Sequence, residues 1–592
     1  MQKYNLTLIF ILFAIGIQSI SMVYAQSGSN SFHHDLKSEK MPWTKIPEVD
    51  AQNFRFIITG DHTGGEVPGV FDYAVQRINE LAPDFVITVG DIIEGYTRSE
   101  NDMQNQWDAL MHSLNLLEVP FFVAPGNHDV TNKMLLDEWK KRWGYDYYNF
   151  YVGDCLFLVL NSTEPGINGF ADHQIEFFER VLDKHKINNP VFVITHDPLW
   201  KMKDENGVEK LNGLLEKHNV TFFCGHEHRY QYRMIDGKTH YMLAGLASGN
   251  NRGTNLGEYY NFMQVTMKNG EMRIANFNLE GMLPLDIVNN NTIKQVDVLR
   301  GEDWAYIKPV VVDNETTRLV QGFLHLENPG EFPLHINGQW TDTEIATIAP
   351  EKIESVIMPG KSLKIPVFLS LTKGYGISDL PLLKPLLTGR YEQDGKNLEA
   401  STSPVWHIDF IKTVKNERQN PKSSEWLVPE RIEESWDWSG MEDAAFALQT
   451  SADNNNLYIT ATVQDDNWIE NTPYDTQGDI FQISIHPDTT FLSKAEPIIF
   501  EFRPAERKGK CINGCDRVSD YTAKINREGK YMITEISIPL KPFDHQWFRM
   551  NMSFSDVDNP HKSDNAVLWW KPPWQSDDDY PGSGLFHHDK EN

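Results

Sequence analysis

Short apolar runs alternate with stretches of helical periodicity between residues 54 and 280. Between the first two runs, apolar residues from Val70 to Leu81 recur at the spacing of one helix face. This alternation predicts a layered α/β domain over residues 50–285. The predicted strands are Phe54–Thr59, Asp84–Val89, Phe121–Ala124, Leu156–Asn161, Val191–Thr195, Thr221–Cys224 and Tyr241–Ala244.

The helical period disappears after residue 300, where β-branched runs are separated by Pro, Gly and Asn turns. This pattern predicts an immunoglobulin-like β-sandwich over residues 300–411. A polar, charged linker follows, and residues 425–590 are again rich in strand patterns. Half of the 16 tryptophans lie beyond residue 411. They indicate either an aromatic core or an aromatic binding face in a second β-sandwich.

The first 25 residues have the pattern of a secretory signal peptide. Lys3 precedes an almost uncharged run from Leu6 to Ile20, and small residues end at Ala25. A membrane anchor is the alternative interpretation, but the run is short for a spanning helix. We therefore expect a secreted or periplasmic protein with no transmembrane segment after cleavage.

The 592 residues carry a formal net charge of −29, which would repel a polyphosphate backbone and disfavours nucleic acid as the main partner. Four cysteines are too few for a disulfide framework. Cys511 and Cys515 are close enough in sequence for a local disulfide. Cys155 and Cys224 lie in apolar runs that are typical of buried thiols.

Five apolar runs of the first domain end in side chains that are able to bind metal ions. In open α/β sheets such strand ends meet in one crevice. Each motif alone is weak, since a Gly-Asp after a strand is usually a turn, but five in succession predict a dinuclear hydrolytic site. The motifs are Gly60-Asp61-His62-Thr63, Gly90-Asp91, Gly126-Asn127-His128-Asp129, Thr195-His196-Asp197 and Gly225-His226-Glu227-His228.

This succession resembles the calcineurin-like metallophosphoesterase superfamily over about residues 52–280. The resemblance implies an α/β sandwich with two divalent or trivalent ions of Fe, Mn or Zn. It also implies hydrolysis of a phosphomonoester or phosphodiester by in-line attack of a metal-bridging hydroxide. The implied ligands are Asp61 and His228 for the first ion, Asp91 as the bridge, and Asn127, His196 and His226 for the second.

The resemblance also implies that His128 faces the phosphate and protonates the leaving group, with Asp129 orienting its ring. The family usually has a histidine where this chain has Thr63, and the neighbouring His62 is offset by one residue. We therefore predict Glu94, three residues after the bridging carboxylate, as a substitute ligand. A water-filled position or a weaker first metal are the alternatives, and Glu94 as a solvated loop residue is equally compatible.

Two further residues are candidate substrate contacts. Arg252, in a loop of glycines and asparagines, could reach a phosphate with its planar guanidinium, and a surface arginine is the alternative. Thr63, which stands where the family usually has a histidine, is the second candidate.

Residues 425–590 resemble a family 9 carbohydrate-binding module, carried by Asn456–Asp466, Gly478-Asp479 and the segment from Asn551 to Asp558. The resemblance implies a β-sandwich that binds carbohydrate. Acidic loops such as Asp556-Val557-Asp558 and 577–579 are possible ligands for structural calcium. The candidate sugar platforms, for which core packing is the alternative, are Trp468, Trp569, Trp570 and Trp574.

Two functions follow from these patterns. The first is a secreted dinuclear phosphoesterase whose accessory module holds it near carbohydrate. The second is a degenerate phosphoesterase fold, impaired at Thr63, that acts as a carbohydrate- or surface-binding protein. Metal content and turnover of phosphate esters distinguish the two.

Overall fold

The computed structural model describes the chain from residue 30 to residue 588 with internal gaps. The predicted signal peptide 1–25 lies outside the described residues. The chain divides into two compact units, Met1–Gly95 with Gln106–Ile287, and Tyr96–Asn105 with Val288–Asn592. None of the described helices is both long enough and apolar enough to span a bilayer. The described ranges are 30–167, 169–202, 205–301, 304–414, 426–429, 431–433, 438–470, 478–486, 497–518, 520–541, 547–557, 566–571 and 584–588.

The first unit contains two mixed sheets. The seven-stranded sheet has the order β1-β5-β6-β7-β8-β10-β9, and the six-stranded sheet has the order β13-β12-β11-β2-β3-β4. The strands are β1 (Phe32–His33), β2 (Asn53–Thr59), β3 (Phe85–Thr88), β4 (Phe121–Phe122), β5 (Tyr148–Val152), β6 (Cys155–Val159), β7 (Pro190–Ile194), β8 (Asn219–Cys224), β9 (Gln231–Ile235), β10 (Lys238–Met242), β11 (Asn261–Lys268), β12 (Glu271–Asn278) and β13 (Met282–Leu283).

Aromatic side chains fill the space between the two sheets. The ring of Phe56 on β2 lies 5.1 Å from those of Phe157 on β6 and Phe192 on β7, measured between centroids. Phe85 on β3 contacts the ring of Phe157 as well. Because side chains alternate across a strand, the neighbours of Phe157 point to the opposite face of β6. The two sheets therefore pack face to face.

Helices cover the other face of the seven-stranded sheet. Leu156 and Leu158 on β6 pack in one buried cluster with Phe178 and Leu211, which lie on two helices. The predicted helix between the first two strands is present, and its buried face includes Phe71. The predicted α/β class is confirmed. The helices are Val70–Leu81, Glu100–Leu114, Lys133–Trp143, Asp172–Leu182 and Val208–Leu215 in this part of the chain, and Ile293–Gly301 after it.

Strands β11 and β12 form an antiparallel hairpin that the sequence analysis did not predict. Asn269 and Gly270 join them with φ values of 52° and 82°. An Asn-Gly pair with two positive φ angles is the preferred two-residue hairpin turn, so the signal was present in the sequence. Through β11, which pairs with β2, the hairpin extends the sheet away from the parallel strands.

The second unit begins with a sandwich of two four-stranded sheets, β14-β16-β20-β18 and β19-β17-β21-β22, with the pair β15-β23 beside them. The strands are β14 (Ala305–Ile307), β15 (Val310–Val312), β16 (Leu319–Asn328), β17 (Leu334–Trp340), β18 (Ala346–Ala349), β19 (Lys352–Ile357), β20 (Lys361–Leu371), β21 (Pro385–Gln393), β22 (Lys396–Thr402) and β23 (Ile408–Phe410). Their alternating burial confirms the predicted β-sandwich.

A second sandwich follows in the same unit. Its five-stranded sheet has the order β25-β27-β28-β33-β32, and the other sheet contains β24-β36-β34-β29-β30-β31 with β26 and β35. One apolar core joins the two sheets. The strands are β24 (Lys412–Val414), β25 (Trp426–Leu427), β26 (Arg431–Glu433), β27 (Ala444–Ala452), β28 (Asn456–Asp465), β29 (Ile480–His486), β30 (Ile498–Phe502), β31 (Lys510–Asn513), β32 (Thr522–Glu528), β33 (Tyr531–Pro539), β34 (Trp547–Asp556), β35 (Ala566–Trp569) and β36 (Gly584–His588).

The tryptophans and cysteines of this sandwich have defined places. Trp570 is buried in the core and Trp468 packs against it, so these two rings serve the sandwich interior and not an open platform. Trp574 and the 577–579 loop lie outside the described residues. Cys511 and Cys515 form a disulfide with their Cα atoms 5.7 Å apart. Cys155 and Cys224 of the first unit are buried free thiols.

Candidate metal centre

The polar motifs lie where parallel strands end. Strands β2, β3 and β4 are mutually parallel, as are β7 and β8. Parallel strands present their carboxyl ends at the same sheet edge, so the loops that follow them converge. The structure brings together the side chains of Asp61 after β2, Asp91 after β3, Asn127 after β4, His196 after β7, and His226 and His228 after β8.

Four atoms of this group surround one point. Nε2 of His196 lies 2.8 Å from Oδ1 of Asn127 and 3.1 Å from Oδ2 of Asp91. Nδ1 of His226 lies 2.9 Å from the same Asn127 oxygen and 3.2 Å from the His196 Nε2. Two imidazole nitrogens, an amide oxygen and a carboxylate oxygen form a donor set for a borderline transition metal.

A second group of ligand atoms shares Asp91. Ligand atoms of Asp61, Asp91 and His228 all lie within 4.8 Å of one another. Nε2 of His228 is 3.2 Å from Oδ2 of Asp61. The other carboxylate oxygen, Oδ1 of Asp61, is buried with no hydrogen-bond partner in the described chain. A buried carboxylate oxygen without a donor is costly, and a cation would satisfy it. The residues therefore fit two metal ions that share the Asp91 carboxylate.

The backbone at the site is strained. Asp91, His226 and His228 have φ values of 52°, 72° and 49°, a left-handed conformation that is uncommon for residues with side chains. Such conformations cost of order 1–3 kcal/mol each and persist only where the surroundings fix them. Here the strained residues place their side chains in the two groups of ligand atoms, His226 in one, His228 in the other and Asp91 in both.

The first motif departs from the expected ligand set, as its sequence suggested. The Thr63 hydroxyl donates to the backbone oxygens of Asp91 and Ile93, so it is committed to bracing the loop. The ring of His62 is buried, stacks on Phe71 and places Nδ1 3.0 Å from the Ile92 oxygen. Neither side chain stands in for the missing histidine. The hydrogen bonds of Thr63 also differ from the predicted substrate contact.

Glu94 lies beside the first metal position. Its Oε2 accepts a hydrogen bond from the Gly64 N–H at 3.2 Å. A side-chain carbon at Gly64 would lie 2.7 Å from Cε1 of His228 and 3.3 Å from Nε2 of His128. The rings of both histidines therefore pack closely against the backbone at Gly64. Only glycine leaves room for this approach, and its φ of 84° is also easiest for glycine. The carboxylate of Glu94 is therefore a neighbour of the first site.

The predicted role of Asp129 in orienting His128 is wrong. The Asp129 carboxylate accepts the backbone N–H groups of Ile92, Ile93 and Gly126 at 2.8–3.1 Å. It braces the two loops that carry Asp91 and Asn127. The ring of His128 is positioned instead by the backbone oxygen of Glu94, 2.6 Å from Nδ1. A buried carboxylate needs hydrogen-bond donors, and three backbone N–H groups lie within hydrogen-bond distance of Asp129.

The buried charged groups at the site shift one another's pKa values. Burial acts to raise the pKa of Asp91, but the neighbouring His196 outweighs it and lowers that pKa to about 2. Burial acts to lower the pKa of His196, and Asp91 overrides it and raises that pKa to about 10. Burial, and then the charge of Asp91, raise the pKa of Asp129 to about 8.

Asp197 lies beside the metal centre, and no role was predicted for it although it belongs to the motif Thr195-His196-Asp197. Its Oδ1 lies 3.6 Å from Nε2 of His226, and its Oδ2 accepts a hydrogen bond from the Ser162 hydroxyl at 2.7 Å. Carboxylates commonly orient the distal nitrogen of a metal-binding histidine. Its position directly after His196, at a strand end, was the available signal.

The contacts of Arg252 differ from the phosphate contact that was predicted for it. Its Nε and Nη2 atoms lie 2.6 Å and 2.9 Å from the carboxylate oxygens of Glu258, which is fully buried. This paired contact occupies one of the N–H edges with which a guanidinium would hold a phosphate. The glycine-rich loop thus uses Arg252 to satisfy an internal carboxylate.

Comparison with known proteins identifies relatives of the first unit. Residues 54–230 match the family model described as calcineurin-like phosphoesterase. Tartrate-resistant acid phosphatase type 5 of Mus musculus is 24% identical over 235 residues, which cover 32% of this chain and 71% of that protein. Serine/threonine-protein phosphatase CPPED1 of Rattus norvegicus is 28% identical over 162 residues, covering 25% of this chain and 51% of that protein.

Solved structures give weaker similarities. A family 9 carbohydrate-binding module from Caldicellulosiruptor kristjanssonii in complex with glucose has a TM-score of 0.24 and 14% identity, covering 31% of this chain and 95% of the module. A 5′-nucleotidase from Candida albicans has a TM-score of 0.28 and 10% identity, covering 52% of this chain and 76% of that protein.

Proposed function

We propose that this chain, whose residues 54–230 belong to the calcineurin-like phosphoesterase family, uses two metal ions to hydrolyse a phosphomonoester or phosphodiester. It is a phosphate-ester hydrolase by its family and by its phosphatase relatives. The observation that carries the proposal is the position of Asp91, whose carboxylate belongs to both groups of ligand atoms.

The ligand set defines which residues would hold each ion. Asp61, Asp91 and His228 would hold the first, and Asn127, His196, His226 and the same Asp91 the second. When bound, two such ions activate water as a nucleophile and neutralise charge on the phosphoryl oxygens. Donors of N and O type suit iron, manganese and zinc alike.

The residues of the chain supply orientation and proton transfer. The contact from Nδ1 of His128 to the Glu94 oxygen leaves Nε2 of that ring, beside Gly64, facing the site. Nε2 is thus placed to give a proton to the departing alkoxide or phenoxide. Asp129 maintains the spacing of the loops that carry Asp91 and Asn127 through its three backbone hydrogen bonds.

Glu94 is proposed as the substitute ligand of the first ion. The three side chains of that group lack the histidine that the resemblance implies at position 63, and Thr63 is committed to backbone oxygens. A turn of the Glu94 carboxylate from Gly64 N–H toward His228 would supply the missing oxygen. The adjacent Gly64 leaves the space for this movement.

Location and glycan binding complete the proposal. The apolar leader supports export from the cytoplasm, and the second β-sandwich supports an accessory role in holding the enzyme near carbohydrate. Expression of the full chain with N-terminal sequencing of the exported product tests the first point. Loss of residues 1–25 from the exported protein is expected, and a retained leader contradicts cleavage.

The alternative function, a degenerate fold that only binds, is favoured by the incomplete first site at Thr63. Purified full-length protein separates the two through its metal content and its turnover of p-nitrophenyl phosphate and bis(p-nitrophenyl) phosphate. We expect two metals per chain and turnover of at least one ester. Less than one metal, with no turnover after addition of manganese, iron or zinc, favours the binding protein.

Asp91→Asn is the sharpest variant, because one neutral amide replaces the carboxylate that both ions share. We expect it to abolish turnover while the thermal unfolding midpoint of the other domains is unchanged. Asp137→Asn is the matched control, since Asp137 is an exposed partner of Lys133 in the same unit.

A further inference from the structure

The loop from residue 245 to residue 258, which follows β10, braces the main chain of Asp61. The backbone oxygen of Asp61 accepts the N–H of Leu246 at 2.7 Å and the hydroxyl of Ser248 at 3.1 Å. The carboxylate of Asp61 belongs to the first group of ligand atoms. The direction in which this carboxylate leaves the chain is therefore set partly by the 245–258 loop.

The same loop contacts His228, the other ligand that belongs to the first metal position alone. A side-chain carbon at Gly249 would lie 2.5 Å from Cβ and 2.9 Å from Nδ1 of His228, so the histidine packs directly against the backbone of the loop. Two residues after His228, the N–H of Tyr230 donates to the backbone oxygen of Gly257 at 2.6 Å. The loop thus holds both the ring of His228 and the main chain that follows it.

Arg252 and Glu258 close this loop. Their side chains make the two contacts of 2.6 Å and 2.9 Å described above. The main chains of Gly253 and Glu258 also exchange two hydrogen bonds, at 3.1 Å and 3.2 Å. A two-point contact between a guanidinium and a carboxylate fixes their relative orientation as well as their distance. The buried ion pair therefore holds the end of the loop in one arrangement.

The histidines of the second metal position are held by other segments of the chain. Nδ1 of His196 lies 3.2 Å from the backbone oxygen of Val89, which follows β3. Nε2 of His226 lies 3.6 Å from Oδ1 of Asp197, which follows β7. A change in the 245–258 loop is therefore expected to act mainly on the first metal position.

We propose that Arg252 and Glu258 are positioning residues for the first metal ion. By closing the loop they maintain the placement of Asp61 and His228, whose Oδ2 and Nε2 atoms lie 3.2 Å apart. Residues that orient metal ligands control metal affinity without touching the ion. The inference rests on the proposed function, because it takes Asp61 and His228 as ligands. It assigns Arg252 an effect on metal affinity in place of a contact with the substrate phosphate.

Two conservative variants test this role. Glu258→Gln removes the buried charge and keeps the shape of the side chain, whereas Arg252→Lys keeps the positive charge but lacks the planar group that makes two parallel contacts. Both are made in a His226→Asn parent, which reports on the first metal position, and in a His228→Asn parent, which reports on the second. The probe is Mn²⁺, titrated into full-length protein freed of metals, and followed by calorimetry and electron paramagnetic resonance without substrate.

In the His226→Asn parent, each variant is expected to weaken Mn²⁺ binding about 10-fold, the lower end of the range for residues that support metal ligands. In the His228→Asn parent, the affinity is expected to stay as it was. In the otherwise unchanged protein, kcat is expected to fall at low Mn²⁺ and to recover at saturating Mn²⁺, with KM for p-nitrophenyl phosphate unchanged.

Glu271→Gln is the matched control. Glu271 pairs with Arg273 in the same unit at 3.6 Å, and both side chains are exposed. This substitution is expected to leave both metal affinities unchanged. The thermal unfolding midpoint, measured for every variant, shows whether the first unit is folded.

Three results overturn the inference. The first is unchanged affinity of the first position in both variants. The second is a higher KM in Arg252→Lys with unchanged metal affinity, because the guanidinium would then act on the substrate. The third is equal weakening of both positions, which indicates a general loss of stability in the first unit.

Failure of the proposed function gives a different result. If the wild-type protein binds no Mn²⁺ and hydrolyses neither ester, the proposed function and this inference fail together. If it binds two ions and hydrolyses an ester while the variants bind the first ion as tightly as their parent, only the role of Arg252 and Glu258 is wrong.

Discussion

The backbone oxygen of Glu94 lies 2.6 Å from Nδ1 of His128 and holds that ring at the edge of the metal centre. The side chain of the same residue reaches the Gly64 N–H on the opposite loop. One residue thus contacts the proposed proton donor through its main chain and lies beside the proposed first metal position through its carboxylate. A substitution at Glu94 removes the carboxylate but keeps the backbone oxygen that contacts His128. It therefore tests the role of the side chain separately from that of the main chain.

His128→Asn is expected to lower kcat by about 10²–10⁴-fold, the usual contribution of a general acid. The loss is expected to be larger for an alkyl phosphate than for p-nitrophenyl phosphate, because a poor leaving group needs the proton more. Steady-state kinetics on both esters, with metal content measured in parallel, checks this. Equal losses on both esters contradict a proton-donor role, and His112→Asn, on an exposed helix face, is the control.

Glu94→Ala is expected to weaken the first metal site about 10–100-fold, within the range seen when residues supporting a metal site are removed. The second site, built from Asn127, His196 and His226, is expected to retain its ion. Metal content after graded dialysis, together with electron paramagnetic resonance of the manganese-loaded protein, gives the readout. Two metals held as in the wild type, with full turnover, would show that Glu94 is a solvated loop residue. Glu118→Ala removes an exposed carboxylate elsewhere and is the control.

The buried ring of His240 is expected to make the first unit sensitive to acid. Burial lowers the pKa of His240 to about 4, and the ring stacks on Phe222 with centroids 4.1 Å apart. An unfolded histidine titrates near 6.5, so between pH 6.5 and 4 the unfolded chain binds more protons. Stability therefore falls as pH drops through this range, by at most about 1.4 kcal/mol per pH unit from this group.

His240→Gln is expected to flatten that part of the pH dependence. Denaturant unfolding of the first unit between pH 4 and pH 7, followed by a probe in that unit, measures it. If the slope of unfolding free energy against pH is unchanged, groups other than His240 cause the acid sensitivity. The exposed His112 is again the matched position, and His112→Gln is expected to leave the slope as it is.

Asp409→Asn is expected to destabilise the second unit by about 3 kcal/mol. Asp409 is buried, and its carboxylate contacts Lys412 at 2.6 Å and the buried Lys571 at 3.2 Å. Burial raises the pKa of Asp409, but the two ammonium groups outweigh it and hold that pKa well below the usual range. Removal of one partner leaves a buried charge uncompensated.

Chemical denaturation of the full chain measures this loss. Glu331→Gln serves as the control, since its ion pair with Lys294 is exposed on both sides and such pairs contribute at most about 1 kcal/mol. Equal effects of the two substitutions would contradict the importance of the buried pair.

Much of the fold could be predicted from periodicity, because the helices bury one face and the strands of the sandwich that begins with β14 alternate between buried and exposed residues. The helix Val70–Leu81 buries the residues that its apolar spacing selects. Strand ends were less certain. The strand predicted at Tyr241–Ala244 is Lys238–Met242, since pairing with both β8 and β9 begins in the polar residues Lys238 and Thr239. Backbone pairing sets the start of this strand, and the pattern of hydrophobic residues does not predict it.

By itself, the sequence determined the order of elements and the chemical types at the strand ends, because both follow from local patterns of side chains. Only the tertiary structure decided which groups contact one another. It assigned Asp129 to three backbone N–H groups, Arg252 to Glu258, and the ring of His128 to the Glu94 oxygen. It also brought Asp465 and Asp479 from opposite sheets to one point. Hydrogen bonds and ion pairs act over a few ångströms between residues distant in sequence, so the packing of the layers selects the partners.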